Sequence, residues 1–519
     1  MHDSAKSQLT KNAGVVAFFT TLSRIAGLAR DMVTAHLFGA NAVMDAFNIA
    51  FTIPNTLRRF VAEGALTVAF IPVYTEVMKQ EGLDEAKRFY QSVLGLLLIT
   101  LSILVVLGTL GASGLVYAFA SGFAERPDQM EMAVSLTRWM FVYVFFISLV
   151  ALSMGALNSH KHFTTPAASP VLLNIAMIAC AYGFHNYFEH PIYALALGVV
   201  IGGVLQLAVQ LPTLARYGLL LKPSFKFHSE PVRKLLKILL PSVFGVAIYQ
   251  INLMVLRQLG SYLPEGQITC YSTADRLMQV ALGIFAISIA TATLPAMSDQ
   301  TDDHQKLIKT WSFSTRLTNF ITFPAAIGLT VIGLPIVSVL FFHGAYDWEA
   351  TKLTAYATIA FAPGLISVAF SRTTVQAFYA LQDMRTPVWI AAFILIINFA
   401  LGLALMRYQV VGLALSLTLS SFVQTALLVY FLRRKIGRLG AKSMFKSMLQ
   451  QTVLAGLMGF IAYWICLFGD WSQGPSLYNI LLLTIALGVS MLFYAAVNLA
   501  LKSEEALLIK SAVLHKLKR

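Results

Sequence analysis

Residues 91–118 read QSVLGLLLITLSILVVLGTLGASGLVYA, a run without aspartate, glutamate, lysine or arginine. About 20 apolar residues cross the hydrocarbon core of a bilayer as a helix, so this run predicts a transmembrane helix. Comparable runs recur from one end of the chain to the other. Of the 519 residues, 57% are apolar and only 12% are charged, about half the charged share of a soluble domain. The sequence therefore predicts an all-α polytopic membrane protein without a separate aqueous domain.

The apolar runs predict about fourteen transmembrane helices. Arg24 and Arg30 interrupt the first run, so we interpret it as a retained helix and not as a cleaved signal peptide. The predicted helices lie near 12–38, 42–75, 91–118, 134–157, 164–185, 191–214, 234–258, 268–297, 316–342, 354–380, 387–406, 410–432, 447–468 and 476–500.

The net charge of +14 is distributed as expected for membrane orientation, and not for nucleic-acid binding. With a cytoplasmic start, the tails and cytoplasmic loops hold roughly 27 of the 38 basic residues, and the opposite loops hold only Arg126, Lys352 and Arg407. This asymmetry predicts that both termini face the cytoplasm.

Two local matches indicate an internal duplication. AFIPVYTE at 69–76 resembles ATLPAMSD at 292–299, and LALGVVIGGVLQLA at 195–208 resembles LALSLTLSSFVQTA at 413–426. A weaker echo links ALN and Thr165-Pro166 to ALQ and Thr386-Pro387. Any one such match can arise by chance in apolar sequence, but several in the same order favour duplication. We predict two parallel six-helix lobes, 1–217 and 218–436, that enclose a cavity, followed by two C-terminal helices and a tail in 437–519.

Charged residues remain within the predicted helices, and their basic members are all arginine. Each arginine at mid-bilayer costs roughly 2.5 to 3.5 kcal/mol if it faces lipid, so these side chains are predicted to face protein or water. The set is Arg24, Arg30, Arg58, Arg59, Arg138, Arg257, Arg276 and Arg372, with the acids Asp31, Asp45, Glu63 and Asp275.

Helical spacing groups part of this set. Arg24, Gly27 and Asp31 share one face of the first helix, and Pro54 predicts a kink in the second between residues 54 and 64. A polar stripe on the second helix comprises Asp45, Asn48, Thr52, Asn55, Arg59 and Glu63. Since arginine forms bidentate bonds to phosphate, the pattern predicts a cationic cavity for an anionic, phosphate-bearing cargo.

Several alternatives stay open at this point. The pairs Arg30/Asp31 and Asp275/Arg276 can act as neutral struts between helices, and Arg138 and Arg257 can snorkel to the interface. Arg24, Arg58, Arg59 and Arg372 lack a sequence-adjacent acid and are the better ligand candidates.

SRIAGLARD at 23–31, DAF at 45–47 and PNTLRRFVAEGALTVAFIP at 54–72 resemble the amino-terminal signature of the MurJ/MviN family. ADRLMQ at 274–279 and FYALQDMRTPV at 378–388 extend the resemblance over essentially the whole chain. It implies a flippase that carries lipid II, the undecaprenyl-pyrophosphate-linked disaccharide-pentapeptide, to the outer leaflet of the bacterial inner membrane.

The resemblance also implies site residues. By position, the family's cavity arginines and acids fall on Arg24, Arg30, Arg58, Arg59, Arg276, Asp31, Asp45, Glu63 and Asp275. Together with Arg372 and Asn55 from the charge pattern and the polar stripe, we expect the arginines and Asn55 to bind substrate, and the four acids Asp31, Asp45, Glu63 and Asp275 to orient charge or act in gating. Arg372 stands where relatives can have lysine, and Gln279 where they can have glutamate. No cofactor or metal is expected. Na⁺, H⁺ or the membrane potential can drive the cycle, and the partners expected for a monomer are lipid II, membrane lipids and other cell-wall synthesis proteins.

Three other functions are compatible with a polytopic membrane chain. A cation- or proton-coupled drug exporter is disfavoured because arginines outnumber acids in the spans, whereas a flippase for another polyprenyl-pyrophosphate oligosaccharide shares the anionic cargo. A membrane enzyme would need a metal-binding or nucleophile motif, and neither a phosphate loop nor HExxH occurs in the sequence. His160 and His162 are interpreted as a solvated basic cluster, and the three cysteines as packing residues.

Overall fold

The computed structural model describes residues 2–59 and 67–517, and every regular element in these two ranges is helical. This confirms the all-α fold class. The chain divides into two compact units, Met1–Gly266 and Gln267–Arg519. The first unit contains α1 (His2–Phe38), α2 (Ala42–Arg58), α3 (Thr67–Gln80), α4 (Leu83–Leu110), α5 (Ala112–Ala120), α6 (Pro127–Phe141), α7 (Tyr143–Ser159), α8 (Thr164–Gly183), α9 (Ile192–Ala208), α10 (Leu211–Arg216) and α11 (Glu230–Gly260).

The second unit contains the remaining helices. They are α12 (Gln267–Ser298), α13 (His304–Phe341), α14 (Trp348–Ala380), α15 (Arg385–Leu405), α16 (Gln409–Ile436), α17 (Ala441–Cys466), α18 (Leu477–Ala500) and α19 (Glu504–Leu517).

Nine stretches of the described chain are long and apolar enough to cross a membrane, and one of them runs through both α15 and α16. Within the described ranges, each of the predicted spans falls on one helix or on consecutive helices. The count of fourteen crossings stays a prediction. The fourth span begins earlier than predicted, at Pro127, because proline is well accommodated in the first helical turn, where its missing N–H costs no bond.

The first unit is built on close helix contacts around α8. Helix α8 packs on both α1 and α9, and α2 packs on α6. The α8–α9 contact depends on Gly198 and Gly202, which are spaced as in a small-xxx-small motif. A Cβ at Gly198 would lie 2.7 Å from the Met177 Cα, and one at Gly202 would lie 2.6 Å from the Leu173 Cδ1. The two backbones therefore approach closely only because these residues lack side chains.

Helix α11 was predicted to open the second lobe, but in the structure it packs within the first unit. It contacts α3, α4 and α5, and Val232 and Leu235 join a buried cluster with Phe70 and Tyr74. In the second unit, α14 packs against α12, α13 and α16, and the C-terminal helices continue from α13 to α17 and from α17 to α18. The domain boundaries near 217 and 436 stay a prediction.

One loop recurs in both units with the same hydrogen bonds, which supports the internal duplication. Lys161 follows α7 with φ 60° and Gln382 follows α14 with φ 56°. The next N–H bonds back five residues in each case, His162 to the Leu157 carbonyl and Asp383 to the Phe378 carbonyl, both at 2.9 Å. His162 and Asp383 are separated along the chain by the same number of residues as Thr165-Pro166 and Thr386-Pro387. The ALN and ALQ segments are separated by about one helical turn more.

Candidate functional site

Arg30 is buried inside the first unit, at 7% exposure. Its Nε and Nη2 donate to Asp31 Oδ1 at 3.0 and 2.5 Å, and its Nη1 donates to Asn174 Oδ1 at 3.1 Å. A buried arginine is tolerated when its charge and its donors are matched in this way. The geometry favours the interpretation of Arg30 and Asp31 as a strut that fixes α1 on α8.

Asn174 is the residue that joins the two helices, and the sequence pattern does not single it out. Besides accepting from Arg30, its amide nitrogen donates to the Ser23 and Pro170 carbonyls, both at 3.3 Å. The available signal was a single asparagine within the apolar run of α8. Nothing in the periodicity of α8 indicates that its partner is on α1.

Arg24 lies on the same helix as this strut and is half-buried. It is six residues before Arg30, close to a third of a turn away around the helix. Its side chain is therefore directed differently from the buried guanidinium of Arg30. Partial exposure leaves a charged side chain accessible to an anion, and a phosphate is a strong acceptor for guanidinium donors.

On α2 the predicted polar stripe divides into a buried and a half-buried part. Asp45 is 1% exposed, and its Oδ2 accepts from the Gly266 N–H at 2.7 Å. Gly266 has φ +81°, and a Cβ there would lie 2.5 Å from the Ala40 carbonyl oxygen. Asp45 thus fixes the chain at the end of the first unit. Its proposed part in gating stays a prediction.

The half-buried part of the stripe continues from the middle of α2 to its C-terminal end and comprises Asn48, Thr52, Asn55 and Arg59. Arg58 Nε donates to Asn55 Oδ1 at 2.9 Å, which brings two predicted substrate-binding residues together. Arg59 follows directly and is also half-buried. Glu63 lies outside the described residues, and so does part of the predicted 54–64 kink.

In the second unit, Asp275 and Arg276 are half-buried on α12, and Arg372 is half-buried on α14. Asp275 Oδ2 accepts from Gln279 Nε2 at 2.6 Å. Gln279, at the position where relatives can have glutamate, thus supplies a donor to the carboxylate. A glutamate could not do so while ionised.

His160 and His162 differ from the solvated cluster expected for them. His160 Nε2 lies 3.0 Å from the Tyr74 hydroxyl, and the Tyr217 ring packs against both imidazoles. Burial lowers the pKa of both histidines, with Lys87 adding to the effect at His160 and Arg216 at His162. Both rings therefore favour the neutral form. Among the described residues, no group of three or more histidine, cysteine or acidic side chains could hold a metal ion.

The fold matches those of solved membrane transporters. A solved structure described as a lipid II flippase MurJ in an inward closed conformation matches 94% of this chain and 99% of its own, with a TM-score of 0.79 and 24% identity. An inward-facing multidrug resistance MATE family transporter of the MOP superfamily matches 81% of this chain and 96% of its own, with a TM-score of 0.67 and 15% identity.

Sequence similarity identifies the family within that class. The model of the family described as "Lipid II flippase MurJ" matches residues 34–486. The Lipid II flippase MurJ of Burkholderia cenocepacia is 35% identical over 88% of this chain and 90% of its own. The probable lipid II flippase MurJ of Vibrio cholerae is 32% identical over 96% of this chain and 97% of its own. The chain belongs to the lipid II flippase MurJ family and is an integral membrane protein, which confirms the resemblance found in residues 23–72.

Proposed function

We propose that this chain carries lipid II from the inner to the outer leaflet of the bacterial cytoplasmic membrane. The observation that carries the proposal is the family match over residues 34–486. A lipid-linked pyrophosphate must lose much of its hydration to cross the bilayer, so the protein has to replace water with donors of its own. Arginines within the spans are suited to that task.

The proposed mechanism is alternating access through a cationic cavity. Arg24, Arg58 and Arg59 of the first unit, with Arg276 and Arg372 of the second, bind the pyrophosphate. Their partial exposure supports this role, and Asn55 orients Arg58 through the bond described above. Substrate binding neutralises repulsion among the arginines, which supplies the differential affinity that a conformational switch requires.

Arg30 is assigned a different part in the same process. Asp31 and Asn174 engage the guanidinium of Arg30, and the residue is only 7% exposed, so a pyrophosphate has little access to it while this strut is in place. We propose that Arg30 contributes to substrate binding by holding α1 in position and acquires a phosphate contact only if that strut opens. Asp31, Asp45, Glu63 and Asp275 orient the arginines or offset their charge.

We further propose what drives the transport cycle and in which state the protein works. The chain uses no cofactor, and a Na⁺ or H⁺ gradient or the membrane potential drives the return step. Moving one charge through 100 mV is worth about 2.3 kcal/mol. The protein acts as a monomer with both termini in the cytoplasm and delivers lipid II to the cell-wall synthesis proteins.

A second candidate function is export of cationic drugs, because the fold is shared with a multidrug resistance transporter. A cavity rich in arginine would repel such a cargo, whereas an anionic lipid would be attracted.

The test is leaflet-resolved transport in proteoliposomes containing the purified chain. We expect fluorescent lipid II to become accessible on the opposite leaflet much faster than in empty liposomes, with and without an imposed potential to identify the driving force. Unlabelled lipid II should compete, and cationic dyes should not. Equal transport of a different polyprenyl-pyrophosphate oligosaccharide would widen the substrate class, and transport of dye without lipid II would overturn the proposal.

A further inference from the structure

A groove of about 350 Å³ opens on the first unit where α6, α7 and α9 meet. Arg138 and Trp139 of α6, Val142 between α6 and α7, and Leu197 and Val200 of α9 line it. The groove contains one charged group among apolar side chains, and none of these residues belongs to the transport site proposed above.

Arg138 is exposed although it lies within an apolar span that runs from Pro127 to Ser159. In the described part of the chain no carboxylate pairs with it. Arg126 of the same region is different, since its two Nη atoms donate to Gln129 Oε1 at 3.0 Å and to the Leu263 carbonyl at 2.7 Å. Arg138 therefore presents a guanidinium without a protein carboxylate beside it, and a lipid phosphate is an acceptor that would neutralise its charge.

Aromatic residues around Arg138 indicate its depth in the bilayer. The Tyr193 hydroxyl donates to Ser135 Oγ at 2.6 Å, and the Trp139 ring centroid lies 5.6 Å from that of Tyr193 and 6.1 Å from that of Phe188. Tryptophan and tyrosine concentrate at the boundary between hydrocarbon and headgroups. Arg138 is next to this aromatic cluster, which favours a position at the depth of lipid phosphates.

The two ends of the groove differ in polarity. Leu197 and Val200 follow Tyr193 by four and seven residues on α9, which places them roughly 6 and 10 Å further into the hydrocarbon. In the other direction, Glu131 precedes Arg138 by two helical turns on the same face of α6 and is exposed. Along the membrane normal the order is thus a carboxylate, a guanidinium and an apolar strip.

We propose that this groove binds a zwitterionic glycerophospholipid with a primary ammonium, such as phosphatidylethanolamine. The phosphodiester accepts hydrogen bonds from Arg138, the ammonium group outside it pairs with Glu131, and an acyl chain lies along Leu197 and Val200. A headgroup with a negative charge and no ammonium would satisfy Arg138 but would be repelled by Glu131. In the proposed orientation this lipid belongs to the outer leaflet.

The test is native mass spectrometry of the full chain in detergent, titrated separately with phosphatidylethanolamine and phosphatidylglycerol. We expect the unmodified chain to bind phosphatidylethanolamine more tightly. Arg138→Ala should weaken its binding about 10-fold, as expected for loss of a charge-assisted hydrogen bond. Glu131→Gln should remove the preference between the two lipids while retaining their binding.

Two further variants separate the site from general lipid contact. Val142→Trp should fill the groove and lower binding of both lipids, with the thermal unfolding temperature recorded to establish folding. Arg407→Ala is the matched control, because Arg407 is a membrane-edge arginine whose guanidinium rests 4.8 Å from the Tyr408 ring centroid; it should bind lipid as the unmodified chain does. Unchanged binding in Arg138→Ala, equal weakening in Arg407→Ala, or a preference for phosphatidylglycerol would overturn the proposal. None of these results depends on lipid II transport.

Discussion

At the scale of single residues, the buried amide of Asn174 helps to set the position of a charged side chain, Arg30. Arg30 is held by Asp31 and Asn174, and Asn174 also bonds to the Ser23 carbonyl. The sequence predicted that Arg30 and Asp31 could form a pair. It could not predict Asn174, because helical periodicity assigns a residue to a face of its own helix and does not identify the helix opposite.

The Asn174→Ala substitution tests this strut. It removes an acceptor from a buried guanidinium and a donor from α8, and we expect a loss of about 1 to 3 kcal/mol in stability. Ile175→Ala is the matched control, since Ile175 is adjacent and 52% exposed. The thermal unfolding temperatures of the two variants, both purified in one detergent, measure the effect. Equal unfolding temperatures for the two variants would show that the strut contributes nothing.

At the scale of helices, the positions of the spans were predictable and their contacts were not. Long apolar runs predict α4 and α18 directly, because a helix that crosses the bilayer needs about 20 apolar residues whatever it packs against. The close approach of α8 and α9 depends on which glycines face the partner, and a pattern such as Gly198-x-x-x-Gly202 indicates a contact face without naming the partner. For the same reason α11 was expected in the second lobe although it packs in the first unit.

Gly198→Ala should separate these two helices. The added Cβ would lie 2.7 Å from the Met177 Cα, and because the obstacle is backbone, the helices must shift at a cost of about 1 to 3 kcal/mol. Gly114→Ala is the control, since its Cβ would meet nothing within 4 Å and alanine favours a helix. Chemical unfolding should show a lower midpoint for Gly198→Ala and an equal or higher midpoint for Gly114→Ala. The reverse order would contradict the contact.

The repeated loop predicts opposite effects on stability when the equivalent residues of the two units are exchanged. In the second unit, Asp383 caps α15 by accepting from the Thr386 N–H at 3.0 Å and from its hydroxyl at 2.8 Å. Burial alone would raise the pKa of Asp383, but bonds from Lys435 and Thr386 outweigh burial and hold the pKa at about 2. In the first unit, His162 occupies the equivalent position, and the Thr165 hydroxyl has no partner among the described residues.

We therefore expect His162→Asp to stabilise the chain by about 0.5 to 2 kcal/mol through a new helix cap, and Asp383→His to destabilise it by a similar amount. Because the folded-state pKa of Asp383 is lowered, its contribution is complete above the unfolded pKa of about 3.9. It is lost as pH falls through about 2. Thermal unfolding at pH 7 compares the variants, and a loss of stability in His162→Asp would refute the equivalence of the two loops.

At the scale of the whole molecule, the family and fold class were accessible from sequence because charged residues in an apolar chain are few and specific. The block at 54–72 contains Arg58, Arg59 and Glu63 within a recognisable motif. The direction of each arginine depends on tertiary contacts, so sequence alone could not distinguish the buried Arg30 from the half-buried Arg24.

We propose that half-buried arginines bind the pyrophosphate of lipid II. The most direct measurement is the initial rate of lipid II translocation in proteoliposomes for Arg24→Ala, Arg276→Ala and the corresponding lysine variants, with Arg407→Ala as the control. We expect the alanine variants to lose at least about 10-fold in rate, as for one charge-assisted contact, the lysine variants to retain an intermediate rate, and the control to match the unmodified protein. Full translocation by both alanine variants would contradict the account.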